Sequence, residues 1–153
     1  MRTFHADYPS IAESETLMLD DLGGWLRRHE LSEDLFQHIC LAVSEAFTNA
    51  LTHANNYDPA KKISITLSIN ESSVSADIVD EGIGGLAKIR NHQPPADLAD
   101  HGRGLDLIRY YASSVTLVET PQGGTHMTIQ FARAKRKEMN EYIDCGGDHG
   151  NHG

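Results

Sequence analysis

The sequence predicts an α+β fold: a two-layer sandwich in which a mixed, mostly antiparallel sheet carries its helices on one face. Three observations predict it. Apolar residues alternate through "KKISITLSI" and again through "VSADIV", with the polar turn "NESS" between them. A second pair, "VTLVE" and "HMTIQF", flanks "TPQGGT", so the strands pair as hairpins. Helical periodicity falls in separate blocks before and between these hairpins, which is the mark of α+β rather than of a parallel sheet.

Taken in order, residues 2–8 predict a short strand. "SIAE", Ser10 to Glu13, has the spacing of a capping box and opens a helix. Leu22, Trp25 and Leu26 continue its apolar face, while Gly23 and Gly24 interrupt it or mark close packing. "LSEDLFQHICLAVSEAFTNALTHANN" is the clearest helix. Ser32 can cap it, and Glu33 and Asp34 sit in the first turn, where the dipole favours acids. Leu35, Ile39, Ala42, Ala46 and Ala50 recur at helical spacing, and Asp58–Pro59 ends the run. The first hairpin puts Ile63, Ile65, Leu67 and Ile69 on one face, and its return strand delivers Asp80. Residues 86–101 hold two prolines and no period, which predicts a loop or lid. "GRGLDLIRYYA" opens another helix with Leu105, Ile108 and Ala112 inward. One domain over 1–133 is expected, followed by a charged, Gly- and His-rich tail over 134–153 that predicts disorder.

Composition bounds the function. The 153 residues suit one domain with a real core. No apolar run approaches the roughly 20 residues of a membrane helix, and the N-terminus lacks a signal-peptide core, so no membrane partner and a cytoplasmic location are expected. A net charge of −9 disfavours a nucleic-acid partner. Cys40 falls on an apolar helical stripe and is expected to be a buried small hydrophobe. In the tail, Cys145, Asp148, His149 and His152 fit no standard zinc spacing. His38, His92 and His101 are expected at the surface.

Four places carry chemistry. Glu45, Asn49 and His53 are spaced by four along the long helix, one turn apart on one face, and Thr52 and Asn56 extend the stripe. Taken alone, such a stripe is more often simply the solvated face of an amphipathic helix. As a site, an Asn oxygen suits Mg²⁺, which takes few protein ligands beside phosphate oxygens, and a neighbouring carboxylate suits a general base. "DEGIGG" places Asp80 where it can accept from an amine, and Gly82 and Gly84 leave room for a flat ring or simply turn the chain. "HGRGL" places Gly102, Arg103, Gly104 and Leu105 at a helix start, where bare amides bind phosphate or a lid hinges. "QGGTH" is a hairpin turn in which Gly124 and Thr125 could also face a ligand.

Together these motifs, in this order over residues 10–131, resemble the nucleotide-binding fold of gyrase, histidine kinases and their relatives, the Bergerat fold. "EAFTNALTHAN" resembles its N-box, "DEGIGG" and "HGRGL" its two glycine boxes, and "GGT" its last motif. A short domain with "SEAFTNALTHA" looks like the anti-sigma factor serine-protein kinases of bacteria. That resemblance implies ATP and Mg²⁺, with Glu45 as base toward a serine and Asn49 holding the metal. Asp80 would read adenine, and His53, Gly82, Gly84, Gly102, Arg103, Gly104, Leu105, Gly124 and Thr125 would line the nucleotide site. It implies a sigma factor and a small serine-bearing antagonist as partners, and a possible homodimer. Two other functions fit the same motifs: a non-catalytic ATP switch that sequesters a regulator, and a histidine-kinase-like module acting on a separate acceptor.

Overall fold

The structure, a computed structural model, describes residues 1–84 and 99–133, and of residues 99–103 the backbone alone. Most of the expected lid and the whole tail, with its Cys145, Asp148, His149 and His152, lie outside the described residues, as do Gly85 and the side chains of His92 and His101.

Strand β1 (Arg2–Pro9) leads into helix α1 (Glu13–Leu26) and helix α2 (Glu33–Asn49), which widens into a π-helical turn over Ala50–Ala54. Strands β2 (Lys62–Ile69) and β3 (Ser73–Val79) form the first hairpin. Helix α3 (Ala99–Tyr111) precedes the second hairpin, β4 (Ser114–Glu119) and β5 (Thr125–Ala132). The sheet runs β1-β2-β3-β5-β4, and every described pairing is antiparallel.

Alternation decides which face the helices cover. Ile63, Ile65 and Leu67 of β2, Val74, Ala76 and Ile78 of β3, and Ile129 and Phe131 of β5 are buried on one face. They meet Met18, Leu22 and Leu26 of α1, Ile39, Val43 and Phe47 of α2, and Ile108 of α3 in one core. Among the described residues no helix covers the other face. There Thr66 pairs across Asp77 and His5, and Asp77 pairs across Thr128, a row of polar side chains suited to water. Asn70 turns the first hairpin by accepting from the Ser72 and Ser73 N–H groups at 2.9 and 2.8 Å.

Two local expectations are corrected. Ser10 does not cap α1: its hydroxyl donates to the Lys61 carbonyl at 2.8 Å, and the residue before the helix is Ala12. The hydroxyl of Ser14 likewise donates to the Pro9 carbonyl, so both serines tie the helix entry to neighbouring chain. Gly23 and Gly24 do not break α1. A Cβ at Gly23 would make ordinary contact with Phe36, and one at Gly24 would meet nothing. The Ser32 cap is present, accepting from the Leu35 N–H at 3.1 Å. Cys40 is half-buried against the core, and that burial raises its thiol pKa. His38 is half-buried too, with its ring 4.8 Å from that of Tyr111.

Phe47 sits at the centre of this packing, fully buried with the Tyr8 ring edge-on at 5.9 Å. Phe47→Ala is expected to cost about 3–5 kcal/mol of stability through lost transfer energy and the cavity left behind. Chemical denaturation of both proteins measures it.

Candidate functional site

The site lies where α2, the segment after β3, the turn before β5 and the start of α3 come together. Asp80 is 8% exposed. Its Oδ1 accepts from the Gly82 N–H and from the Thr125 N–H, both at 3.0 Å. Neither bond uses Oδ2. Burial raises the carboxyl pKa, and the two backbone donors only partly oppose that. The Thr125 hydroxyl beside it is buried and has no partner among the described residues. A carboxylate oxygen and a hydroxyl without partners among the described residues can together take the polar edge of a ligand.

The glycines around Asp80 have separate reasons. A Cβ on Gly82 would come within 2.7 Å of the Ala54 carbonyl oxygen, so the loop crosses the π-turn with no room for a side chain. Gly84 has φ +65°, which favours glycine, and its N–H donates to the Gly123 carbonyl at 3.0 Å. A Cβ on Gly124 would overlap the Asp80 carbonyl oxygen. The segment after β3 is thus clamped to the turn before β5, also through the Asp80 N–H and the Thr125 carbonyl at 3.0 Å.

The polar stripe of α2 faces α3. The position a Cβ would take on Gly104 lies 3.3 Å from Glu45 Oε2 and 3.2 and 3.5 Å from the Asn49 amide atoms Nδ2 and Oδ1. Glu45 and Asn49 therefore converge on one point, and the backbone of the second glycine motif is there. Gly104 does not precede the helix, as the sequence suggests. Helix α3 starts at Ala99, and Gly102 and Gly104 lie inside it. The free amides of its first turn are therefore earlier than expected. The side chain of Arg103 lies outside the described residues, and Leu105 packs against the core.

The stripe does not continue evenly to His53. The Asn55 N–H donates to the Ala50 carbonyl at 2.8 Å, five residues back, so the helix widens directly after Asn49. His53 is exposed within that turn. Asn56 and Tyr57 then take φ of 51° and 56°.

Sequence reasoning missed Asn55. It is 1% exposed. Its amide donates to Ser10 Oγ at 2.8 Å and to the Lys62 carbonyl at 3.1 Å, and its Oδ1 accepts from the Glu81 N–H at 2.9 Å. It ties the residue after Asp80 to the strand edges. The signal available was the Asn-Asn pair at the end of a long helix, where asparagine favours caps and turns.

With that geometry in place, residues 9–131 match the family Histidine kinase-like ATPase domain. The chain belongs to this family. Curated relatives bear the name Anti-sigma F factor. That of Oceanobacillus iheyensis is 26% identical over 135 residues, covering 84% of this chain and 92% of the relative. That of Geobacillus kaustophilus is 25% identical over 140 residues (88% and 95%), and that of Bacillus subtilis 22% over 139 residues (88% and 95%). Among solved structures, the RsbU and RsbW domains of Rv1364c from Mycobacterium tuberculosis align with TM-score 0.63 at 18% identity over 89% of this chain. This chain spans about a third, 34%, of that one. The SiaB–SiaC complex from Pseudomonas aeruginosa aligns with TM-score 0.53 at 19% identity, covering 86% of this chain and 89% of that one. These likenesses show the α+β fold expected from the sequence. Among the described residues no helix is long and apolar enough to cross a membrane.

The residues present fit the ligand that the family implies. Asp80 and Thr125 offer an acceptor and a hydroxyl to a nucleobase edge, and the oxygens of Glu45 and Asn49 converge as a hard cation and phosphates require.

Two outcomes follow. In the folded chain Asp80 binds its proton more tightly than at its ordinary value of 3.8. The native state therefore holds more protons than the unfolded one as pH rises from about 3.8 upward, and over that window ionising Asp80 lowers stability. Asp80→Asn should remove this component, which parallel thermal melts of both proteins across acidic and neutral pH would read as a flatter profile in the variant. Asn55→Ala removes the partner of the Glu81 N–H, the Lys62 carbonyl and the buried Ser10 hydroxyl, and is expected to cost about 1–3 kcal/mol in all. Denaturation midpoints give the total, and nucleotide affinity should fall with it because the Asp80 segment loosens.

Proposed function

We propose that the chain is an ATP-dependent serine-protein kinase that acts as an anti-sigma factor, with a sigma factor and a small serine-bearing antagonist as partners. One observation carries the reading: Glu45 and Asn49 converge on one point beside the second glycine motif, within a family of ATPase domains. Relatives that bear the name Anti-sigma F factor match over nearly their whole length, which supports the partner class. A cytoplasmic location and a homodimer belong to the same proposal.

In this reading Asp80 and Thr125 take the adenine edge, and Asp80 Oδ2 accepts from the ring amine. Guanine presents a carbonyl at that place, so ATP is preferred over GTP. Gly82, Gly84 and Gly124 hold this pocket wall in shape. The free amides of the first turn of α3, up to Gly102, with Arg103, take the phosphates, and His53 and Leu105 border the pocket. Asn49 would hold Mg²⁺, which neutralises phosphate charge when bound. Glu45 accepts the serine proton as the serine oxygen bonds to the γ-phosphorus and the bond to the leaving ADP oxygen breaks.

The test uses the antagonist captured by pull-down, labelled ATP and three proteins. Glu45→Ala is expected to keep ATP affinity nearly intact while transfer falls roughly 10²–10⁴-fold, the usual contribution of a positioned base. Asn49→Ala is expected to lose both the Mg²⁺ dependence of binding and the transfer. An acid-stable product identifies phosphoserine, whereas an acid-labile one identifies a histidine acceptor. If the unaltered chain transfers no phosphate while ATP still changes partner binding, the chain is a switch rather than a kinase.

A further inference from the structure

At the end of the sheet away from Asp80, a cleft of about 640 Å³ is lined by Arg2, Arg28, His29 and Arg133, with Glu30, Ile69 and Asn70 among its other walls. The two sites lie at opposite ends of β3, whose seven residues span roughly 20 Å. On a chain of net charge −9, a cleft with three guanidinium groups is a local reversal of sign.

We propose that this cleft binds a phosphate-type oxyanion, a free phosphate or a phosphomonoester. Three observations converge on it. Among the described residues none of the three guanidinium groups is in an ion pair. Glu30 and Glu71 also line the cleft, yet the ion pairs among the described residues are His5–Asp7, Arg27–Glu33, Lys62–Asp7 and His126–Asp77, none of which involves these arginines. One arginine is held in place. Arg133 donates to the Asn70 carbonyl at 2.7 Å and to the Glu30 carbonyl at 2.8 Å, which spends two of its five donors and leaves the rest. Finally, His29 Nε2 is buried with no partner among the described residues, an orphan that a ligand oxygen would satisfy. The positive field reaches it, since burial first, then Arg2, Arg133 and Arg28, lower its pKa and favour the neutral ring.

The number of cations selects the ligand. One guanidinium satisfies one carboxylate through a fork of two parallel bonds. Three guanidinium groups, even with two Arg133 donors engaged, present more donors than the two oxygens of a lone carboxylate accept and suit a group with three or more oxygens. The neutral His29 ring adds a single N–H donor without further charge.

The chain carries its own reporter. Trp25 is the sole tryptophan, and its ring centroid lies 4.5 Å from that of His29. Tryptophan emission of the full chain, with the nucleotide site saturated by ADP, would be titrated with inorganic phosphate and with phosphoserine. Sodium chloride at matched ionic strength serves as the control. A saturable change with either phosphate, absent in chloride, is expected. Arg28→Gln and Arg2→Gln should each weaken it roughly tenfold or more, as expected when a charge-assisted hydrogen bond is lost. Neither side chain makes a hydrogen bond among the described residues, so both variants should melt like the parent. Asp80→Asn should leave the titration unchanged, which separates this site from the nucleotide pocket. Tighter binding of phosphoserine than of phosphate assigns a phosphorylated side chain as the source, and equal binding assigns the free ion. An emission change that does not saturate, that chloride reproduces, or that survives both arginine substitutions overturns the proposal.

Discussion

Asp80 is an acid in a place where burial works against its charge, and two backbone N–H groups, from Gly82 and Thr125, are what keep its Oδ1 there. One donor follows Asp80 by two residues and the other, Thr125, by 45. By meeting on one oxygen they join the loop after β3 to the turn before β5. Most of the site depends on that junction. Gly124 must lack a side chain because the Asp80 carbonyl occupies its Cβ position, and Gly84 reaches the Gly123 carbonyl only because the chain turns through positive φ. The backbone has already claimed Oδ1, which leaves Oδ2 and the Thr125 hydroxyl without a hydrogen-bond partner among the described residues. Holding the carboxyl in this buried position raises its pKa, a conflict that functional sites commonly tolerate.

Much of this was legible in the sequence where the physical signal is periodic. The alternation in "KKISITLSI" places Ile63, Ile65 and Leu67 inward, and the structure buries all three. Ser32, with acids at the next two positions, is the cap of α2. Signals that depend on tertiary neighbours were not legible. "SIAE" has the right letters for a capping box, yet Ser10 is drawn to the Lys61 carbonyl across the sheet edge. Gly82 reads as space for a ligand ring, whereas the Ala54 backbone already fills the position of its Cβ. That contact is invisible along the chain, because it arises only when α2 widens after Asn49.

The π-turn is the clearest case of a local rule overridden. A constant spacing of four from Glu45 through Asn49 to His53 predicts one continuous face. The helix instead closes an i to i−5 bond at Ala50 and Asn55, so the face ends at Asn49. This shift brings Asn55 into the interior, where it holds Glu81, Ser10 and the Lys62 carbonyl together. Wider turns inside α-helices often mark functional places. Here the wider turn has an identifiable use: the helix that carries Glu45 and Asn49 also anchors the segment that carries Asp80.

Helix α2 thus serves the core and the site with opposite faces, and α3 makes those roles interdependent. Ile39, Val43 and Phe47 press α2 onto the sheet, which fixes the direction in which Glu45 and Asn49 point. At Gly104 the position a Cβ would take lies within 3.5 Å of both polar side chains. A bulkier residue there would force the two helices apart. A ligand that engages both side chains enters along the side that Gly104 leaves open, or it moves α3. If α3 moves, the affinity for that ligand includes the free energy of the helix in its two positions. Ile108 is fully buried in the shared core, so that displacement would reach the packing as well as the pocket. The absence of one side chain at Gly104 thus links the polar stripe, the second glycine motif and the core.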